Sequence, residues 1–405
     1  MTKVGRWVFP LFVAVMLLSP NGAGARERAE IPSPFPVLAG LEPAVEFWKR
    51  IFAEFSSSQL VYFDPLDMSK IYEVVEVGEE QRTRDYIEEE RARVAEAHGV
   101  DVERVKAQRG IRERTAAGIQ RSGRYLAQIQ QIFRDRGLPV ELTYLPIVES
   151  SYEINARSSV GALGVWQFMP RTGREYMRVG AGIDERRDPL ESSRAAASYL
   201  QQAYDRLGNW PLAITSYNFG QAGIARAVAE VGSDNLVDLI AKYEHQRWGF
   251  PPKQFYAEFL AAVEIGTNVK RYFPGLELDP ATEIHELAVI NRSPLAAVIK
   301  RSGLNRDEFF GWNPALSPAT RFVPAGYRIK MPADRNAEPL VLVAQRSNSA
   351  PAAQPRIVHH RVRQGETLSH IAQRYGASVQ RIKQENNLRH AHLLRAGTTI
   401  RVPQI

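Results

Sequence analysis

One acidic side chain lies on an apolar helical stripe, and this arrangement constrains the chain more than any other feature of its sequence. The stripe consists of residues that recur at three- and four-residue spacing: Leu142, Leu145, Glu149 and Tyr152. In a helix this spacing places the carboxylate of Glu149 among apolar side chains. Such a carboxylate either pairs with a cation or has a raised pKa and keeps a proton near neutral pH, as a general acid requires. The pattern therefore predicts a general acid, with an exposed helix-end acid beside an ordinary core as the alternative.

Two prolines bear on the limits of this helix. Pro139 suits the first helical position, where its missing N–H is no loss. Pro146 removes a backbone donor inside the pattern, which predicts a kink or a helix end close to Glu149. An acid at a helix end is well placed to face a cleft.

A segment rich in glycine and aromatic residues follows the acid. It runs Ser158-Ser159-Val160-Gly161-Ala162-Leu163-Gly164-Val165-Trp166-Gln167-Phe168-Met169-Pro170. Glycines permit close backbone approach, and aromatic faces with a few polar groups suit a sugar ring. The segment therefore indicates a carbohydrate site, although the same large side chains would also serve as core.

Four motifs occur in order along the chain: Glu149-Ser150 and residues 164–170, 217–220 and 254–262. They resemble those of the lytic murein transglycosylases, and in particular those of the membrane-bound D-type branch with LysM repeats. The resemblance covers residues 125–274 and the C-terminal modules. It implies a mainly α chain with a lysozyme-like catalytic domain, and a lyase that acts on the glycan strands of peptidoglycan.

The resemblance also implies roles for single residues. In the family mechanism the matching glutamate protonates the glycosidic oxygen between N-acetylmuramic acid and N-acetylglucosamine. Once ionised, it takes the proton from the muramyl 6-hydroxyl, which closes a 1,6-anhydro ring. Glu149 is thus expected to be acid and then base, and Tyr256 to hydrogen-bond it and hold its orientation. The remaining expected substrate contacts are Ser158, Gln167, Met169, Tyr217 and Asn218.

Two other functions stay open at this point. Glycosidases that use water usually employ two carboxylates, whereas the motifs supply one. A hydrolase similar to goose-type lysozyme would need a second acid, for which Glu153 and Asp184 are the nearest spare candidates. The other alternative is a non-catalytic wall-binding protein, against which the four-motif setting of Glu149 argues.

The N-terminal sequence predicts export. Lys3 and Arg6 precede an apolar run at residues 7–18 and small residues at 23–25, which is typical of a signal peptide over residues 1–25. A retained anchor is the alternative, but the run is short for a membrane span. The chain has no cysteine, so we expect a periplasmic enzyme that is not a lipoprotein and has at most peripheral membrane contact. Residues 26–120 are predicted to be a helical N-terminal region, and residues 121–275 the catalytic domain.

An internal repeat follows the catalytic domain. Leu295, Gly303, Phe309 and Asn313 recur at a constant shift as Leu368, Gly376, Ile382 and Asn386. Each copy has a predicted βααβ order and resembles a LysM module, which in its family binds N-acetylglucosamine. We predict a degenerate copy at 283–332, a linker at 333–356 and a complete copy at 357–405. The glycan-binding residues expected in the complete copy are Gly365, Glu366, Thr367, Leu368 and Asn386, and the first copy lacks this turn.

Charge and histidine content bear on partners and cofactors. The formal net charge of +7 favours an anionic surface such as peptidoglycan. Nucleic acid is also anionic and would attract the same positive charge, but predicted export argues against this partner. The histidines of the last module lack the fixed spacing of metal ligands, so neither a metal nor a cofactor is expected. These histidines are His359, His360, His370, His390 and His392.

Overall fold

The computed structural model describes residues 33–333, 356–375, 377, 379–386, 388 and 396–404. The predicted signal peptide, residues 334–355 of the predicted linker, and His390 and His392 lie outside these residues. Within them the chain is mainly helical, as predicted. No helix of this part is long and apolar enough to cross a membrane.

The N-terminal region contains a small sheet as well as helices. Helix α1 (Glu42–Ala53) is followed by strands β1 (Gln59–Asp64) and β2 (Asp67–Glu76), helix α2 (Arg84–Ala97) and strand β3 (Lys106–Arg109). The strands form an antiparallel sheet in the order β2-β1-β3. The prediction of helix throughout residues 26–120 was therefore wrong for these strands. Because β1 is a short run buried on both faces, its periodicity does not distinguish a strand from a buried helix.

Ten helices, including the short α5 and α12, extend from residue 112 to residue 272. They are α3 (Arg112–Ser122), α4 (Leu126–Arg134), α5 (Leu145–Glu149), α6 (Pro170–Tyr176), α7 (Pro189–Leu207), α8 (Trp210–Phe219), α9 (Gln221–Val231), α10 (Leu236–Lys242), α11 (Phe250–Thr267) and α12 (Val269–Tyr272). The central α11 packs against α1, α5 and α8. Its buried side chains share one hydrophobic core with those of α1, so the predicted boundary at residue 120 does not separate two cores.

The segment before the acid differs from its prediction. A 3₁₀ turn covers Val140–Tyr144, and α5 begins at Leu145 with Pro146 in its first turn. Pro146 therefore starts a new helix and does not kink an older one, because a first-turn proline loses no intrahelical hydrogen bond. The helix ends at Glu149, as predicted.

Two small modules follow, and each has its own core. The first contains β4 (Ile284–Ala288), β5 (Ser293–Pro294), α13 (Leu295–Ser302), α14 (Arg306–Trp312), β6 (Phe322–Val323) and β7 (Arg328–Pro332). The second contains β8 (Arg356–Arg361), α15 (Leu368–Tyr375), α16 (Val379–Glu385) and β9 (Thr399–Gln404). In each module the outer strands pair antiparallel, which agrees with the predicted βααβ order.

Equivalent asparagines lock the two modules in the same way. The Asn313 amide donates to the carbonyl oxygens of Phe309 and Lys330 at 2.9 and 3.0 Å, and its oxygen accepts the Lys330 N–H at 2.9 Å. Asn386 makes the corresponding three bonds to Ile382 and Arg401, each 2.7 Å long. The predicted repeat is thus visible in individual hydrogen bonds.

A group of ion pairs, here called the docking cluster, joins the first module to the start of α7. It consists of the buried Lys330, Asp188 and Glu191 together with Arg328, whose side chain is 42% exposed. The Lys330 ammonium lies 2.8 Å from the Asp188 carboxylate and 2.8 Å from that of Glu191, which Arg328 also contacts at 2.8 Å. Burial opposes ionisation of Glu191, yet the hydrogen bond from Arg328 and the charge of Lys330 lower its pKa to about 2. The buried charges are thus paired across the contact between the module and α7.

Candidate active site

Glu149 is the last residue of α5, and its side chain is largely buried. Burial, reinforced by the nearby carboxylate of Glu258, raises the pKa of Glu149 to about 8. Among the described residues, its carboxyl forms no hydrogen bond and no ion pair. A carboxyl without a cation partner in such a site keeps its proton near neutral pH. This is the protonation state that a general acid needs.

The backbone that follows Glu149 is strained and is tied to the aromatic segment. Ser150 donates a 2.7 Å hydrogen bond from its hydroxyl to the carbonyl of Val165, which joins the end of α5 to that segment. Ser151, Tyr152 and Gln167 have φ angles of 52°, 56° and 47°. Within the described residues these are the non-glycine residues with positive φ, and all three follow the acid in the chain. Strained backbone of this kind concentrates at functional sites.

Trp166 and Tyr217 have different roles in this segment. Trp166 is fully buried, and its indole N–H donates to the Ser193 hydroxyl at 2.8 Å, which makes it a core residue. The Tyr217 hydroxyl donates to the Trp166 carbonyl at 2.8 Å. Burial, together with the charge of Glu149, raises the pKa of Tyr217 well above its usual value. Tyr217 therefore lies beside the acid.

The glycine of the second motif is required by packing within the protein. Gly164 has a φ of 80°, and a Cβ atom there would lie 1.9 Å from the carbonyl oxygen of Arg186. No other residue fits this position without displacing the backbone. The close approach predicted for this glycine thus occurs against Arg186.

The other predicted sugar contacts divide into two groups. Ser158 accepts the Ala162 N–H at 2.9 Å, and the Gln167 amide donates to the carbonyls of Ala156 and Gly164 at 3.1 and 2.8 Å. These two side chains brace the loop. Met169 and Asn218 are exposed, which leaves them available to a ligand. Contact with sugar remains a prediction for all four: Ser158, Gln167, Met169 and Asn218.

The structure contradicts the predicted hydrogen bond between Tyr256 and Glu149. The Tyr256 hydroxyl donates to the carbonyl of Pro36 at 3.0 Å, and its ring is fully buried. Tyr256 therefore joins α11 to the N-terminal segment. Its position on the helix directs it away from α5, since each helical residue is rotated by about 100° from the one before.

Glu258, on the same helix, is the acid that sequence reasoning missed. Burial raises its pKa to about 8, and it acts electrostatically on Glu149. Glu258, Ala262 and Gly266 are spaced by four residues, and a Cβ atom at Gly266 would lie 2.3 Å from the ring of Tyr144. The sequence did contain a signal for this acid: Glu258 lies inside the fourth motif, and the small residues Ala262 and Gly266 follow it on the same helical face. Neither Glu153 nor Asp184, the acids considered from the sequence, acts on Glu149.

The expected glycan-binding turn of the second module is used for its own folding. Gly365 has a φ of 82°, the Thr367 hydroxyl accepts the His370 N–H at 3.3 Å, and Leu368 is buried in the core. Glu366 accepts hydrogen bonds from the Arg363 N–H, His360 and Arg374, and the first of these is the main cause of its lowered pKa of about 2. The polar atoms of Glu366 and Asn386 and the side chain of Leu368 thus have contacts within the module. Glycan binding by the five expected residues remains a prediction.

Comparisons with known proteins match two regions of the chain. Residues 128–238 match the family model of the transglycosylase SLT domain, and residues 360–403 match that of the LysM domain. Membrane-bound lytic murein transglycosylase D of Escherichia coli (strain K12) is 30% identical over 291 residues, which are 66% of this chain and 61% of that protein. Membrane-bound lytic murein transglycosylase F of Shewanella loihica is 30% identical over 150 residues, 32% of this chain and 29% of that one.

Among solved structures, the lytic transglycosylase Slt of Pseudomonas aeruginosa is 23% identical with a TM-score of 0.30, over 38% of this chain and 25% of that chain. The chain spans 61% of the length of the D-type relative.

Proposed function

We propose that this chain, which contains a transglycosylase SLT domain and a LysM domain, is a peptidoglycan lytic transglycosylase. It would cleave the β-1,4 bond between N-acetylmuramic acid and N-acetylglucosamine and leave a 1,6-anhydromuramyl end. The observation that carries the proposal is the largely buried, unpaired Glu149, with a pKa of about 8, which strained backbone directly follows. The D- and F-type relatives, which are named as murein transglycosylases, support the same substrate.

In this reaction Glu149 acts twice. Its protonated carboxyl gives a proton to the glycosidic oxygen, and the bond from that oxygen to the muramyl anomeric carbon breaks. The resulting carboxylate accepts the proton of the muramyl 6-hydroxyl, whose oxygen bonds to the same carbon. Glu149 is protonated again at the end, so neither water nor a cofactor is consumed. Exposed Met169 and Asn218 would contact the sugars, while Tyr217 borders the acid.

The second module would hold the enzyme on the wall. A LysM domain on the same chain raises the local concentration of glycan near the catalytic domain without touching the bond that is cut. We further propose that residues 1–25 direct export and that the mature enzyme is periplasmic and bound to the wall. Membrane-bound relatives acting on murein support this location.

One observation favours a second candidate function, a muramidase-type hydrolase. Glu258 supplies the second acid that hydrolysis by inversion or retention would need. If Glu258 activated water, the muramyl product would end in a free reducing sugar.

Mass analysis of the muropeptides released from purified sacculi separates the two candidates. A lytic transglycosylase yields anhydromuramyl products, which are one water lighter than the hydrolysed ones. Glu149→Gln supplies the inactive control, because it keeps the shape of the side chain without a transferable proton. Hydrated products from the wild type would contradict the proposal and favour the hydrolase.

A further inference from the structure

Glu258 is a largely buried acid with no partner. Its carboxyl forms no hydrogen bond and no ion pair among the residues that the structure describes. Buried carboxyls are almost always paired or hydrogen-bonded, so each exception requires a physical explanation. The mechanism proposed above assigns Glu258 no task.

The packing of α11 explains why this acid lies near the end of α5. Glu258, Ala262 and Gly266 follow one another at four-residue spacing and therefore line one face of the helix. Gly266 contacts the ring of Tyr144, the residue directly before α5, so closely that a Cβ atom would lie 2.3 Å away. The small side chains let α11 approach α5, and Glu258 then faces the acid at the other end of that short helix.

The charged groups around this pair do not neutralise it. From α8, Tyr217 borders Glu149, and from the 3₁₀ turn, Tyr144 packs against α11. The cations Lys49 of α1 and Arg271 of α12 act at the far end of α11, on Tyr272. In the described part of the chain, burial and Glu258 account for the shift in the pKa of Glu149, and burial alone for that of Glu258. Two such carboxyls do not both ionise near neutral pH.

We infer that Glu258 is a positioning residue of the catalytic site, which keeps the transferable proton on Glu149 until the glycosidic oxygen accepts it. The inference rests on the proposed function. Because the pair as a whole retains a proton, Glu149 stays in its acid form to a higher pH than it would alone.

The test is the pH profile of turnover on sacculi by the full chain and by Glu258→Gln. The amide keeps the size of the side chain and removes the like charge. We expect the alkaline limb of kcat to move toward acid by about one pH unit, so that turnover at pH 8 falls roughly fivefold relative to wild type. Glu258→Asp, which keeps the acid, should restore part of the shift. Glu264→Gln, on the same helix but facing Tyr272, is the matched control and should follow the wild type.

An unchanged alkaline limb in Glu258→Gln would overturn the inference. If that variant does not fold, carbon-13 NMR of glutamate carboxyls in the wild-type chain is the second measurement. We expect two coupled titration steps well above the usual range for glutamate, and titration of every glutamate near its ordinary pKa would equally overturn the inference. If wild type releases no anhydro product at any pH, the proposed function fails, while the NMR titration still tests the pair.

Discussion

Replacement of Glu149 by glutamine is expected to stabilise the protein, and increasingly so as the pH rises. The pKa of Glu149 is raised from 4.5 to about 8 in the folded state. Above pH 4.5 the unfolded chain loses this proton while the folded chain keeps it, so the free energy of unfolding falls as the pH approaches 8. Because glutamine does not titrate, the free energy of unfolding of the variant does not fall in this way.

The magnitude follows from the size of the shift. Each pH unit between the two pKa values is worth about 1.4 kcal/mol, so the 2.5 units from pH 4.5 to pH 7 amount to roughly 3 kcal/mol. Partial solvent access and sharing of the proton with Glu258 reduce this figure. We therefore expect the variant to gain about 1 to 3 kcal/mol over wild type at pH 7 and almost nothing at pH 5.

Urea unfolding at pH 5, 6, 7 and 8, followed by tryptophan fluorescence, measures the difference. No tryptophan occurs after Trp312, so the signal reports on the chain before the second module. Glu153→Gln is the matched control, because that side chain is 46% exposed; its curve should follow the wild type. Parallel pH dependence of wild type and Glu149→Gln would refute the reasoning that Glu149 is held in its neutral form.

Three further predictions concern activity and assembly. Glu149→Gln should lower release of anhydromuropeptides from sacculi by orders of magnitude, and turnover near wild type would remove Glu149 from the mechanism. Tyr256→Phe removes a bond to Pro36, so turnover should stay near wild type while thermal unfolding shows a loss of about 1 kcal/mol; a strong loss of turnover would restore its sequence-predicted role. Removal of residues 357–405 should weaken sacculus pull-down and leave turnover of short soluble glycans unchanged; collapse of that turnover would place the module in the active site.

The docking cluster provides one more test. Lys330→Met leaves Asp188, which is 2% exposed, without its cation and should destabilise the chain by about 3 to 5 kcal/mol in thermal unfolding. Lys242→Met, which removes an exposed ion pair with Asp238, is the control and should change stability by less than about 1 kcal/mol. Equal effects of the two substitutions would show that the buried pair does not hold the module in place.

Helical spacing predicted the burial of the acid at position 149, although the stripe is not one continuous helix: Leu142 lies in the preceding 3₁₀ turn and Tyr152 follows α5. The strand β1 was not predicted, since a short run buried on both faces has no distinctive period. Tyr256 was misassigned because a motif gives the order of residues along α11 but not the rotation of the helix against α5. Glu258 went unnoticed for the same reason. Its position near Glu149 depends on the close contact that Gly266, two turns further along α11, makes with Tyr144.

The turn of the second module shows a further limit of sequence reasoning. Glu366 was expected from the sequence to bind glycan, yet its carboxylate already accepts hydrogen bonds from three donors of its own module. Which partner satisfies a polar side chain depends on where His360 and Arg374 lie in space, and local sequence does not determine that.

The asparagine locks separate the integrity of a module from its use of glycan. Asn313 and Asn386 hold the second helix of each module to its last strand through the same three bonds. Loss of either amide would therefore release that helix from that strand, whether or not the module holds glycan. The number of folded modules and the number of glycan-binding modules are thus separate quantities for this chain.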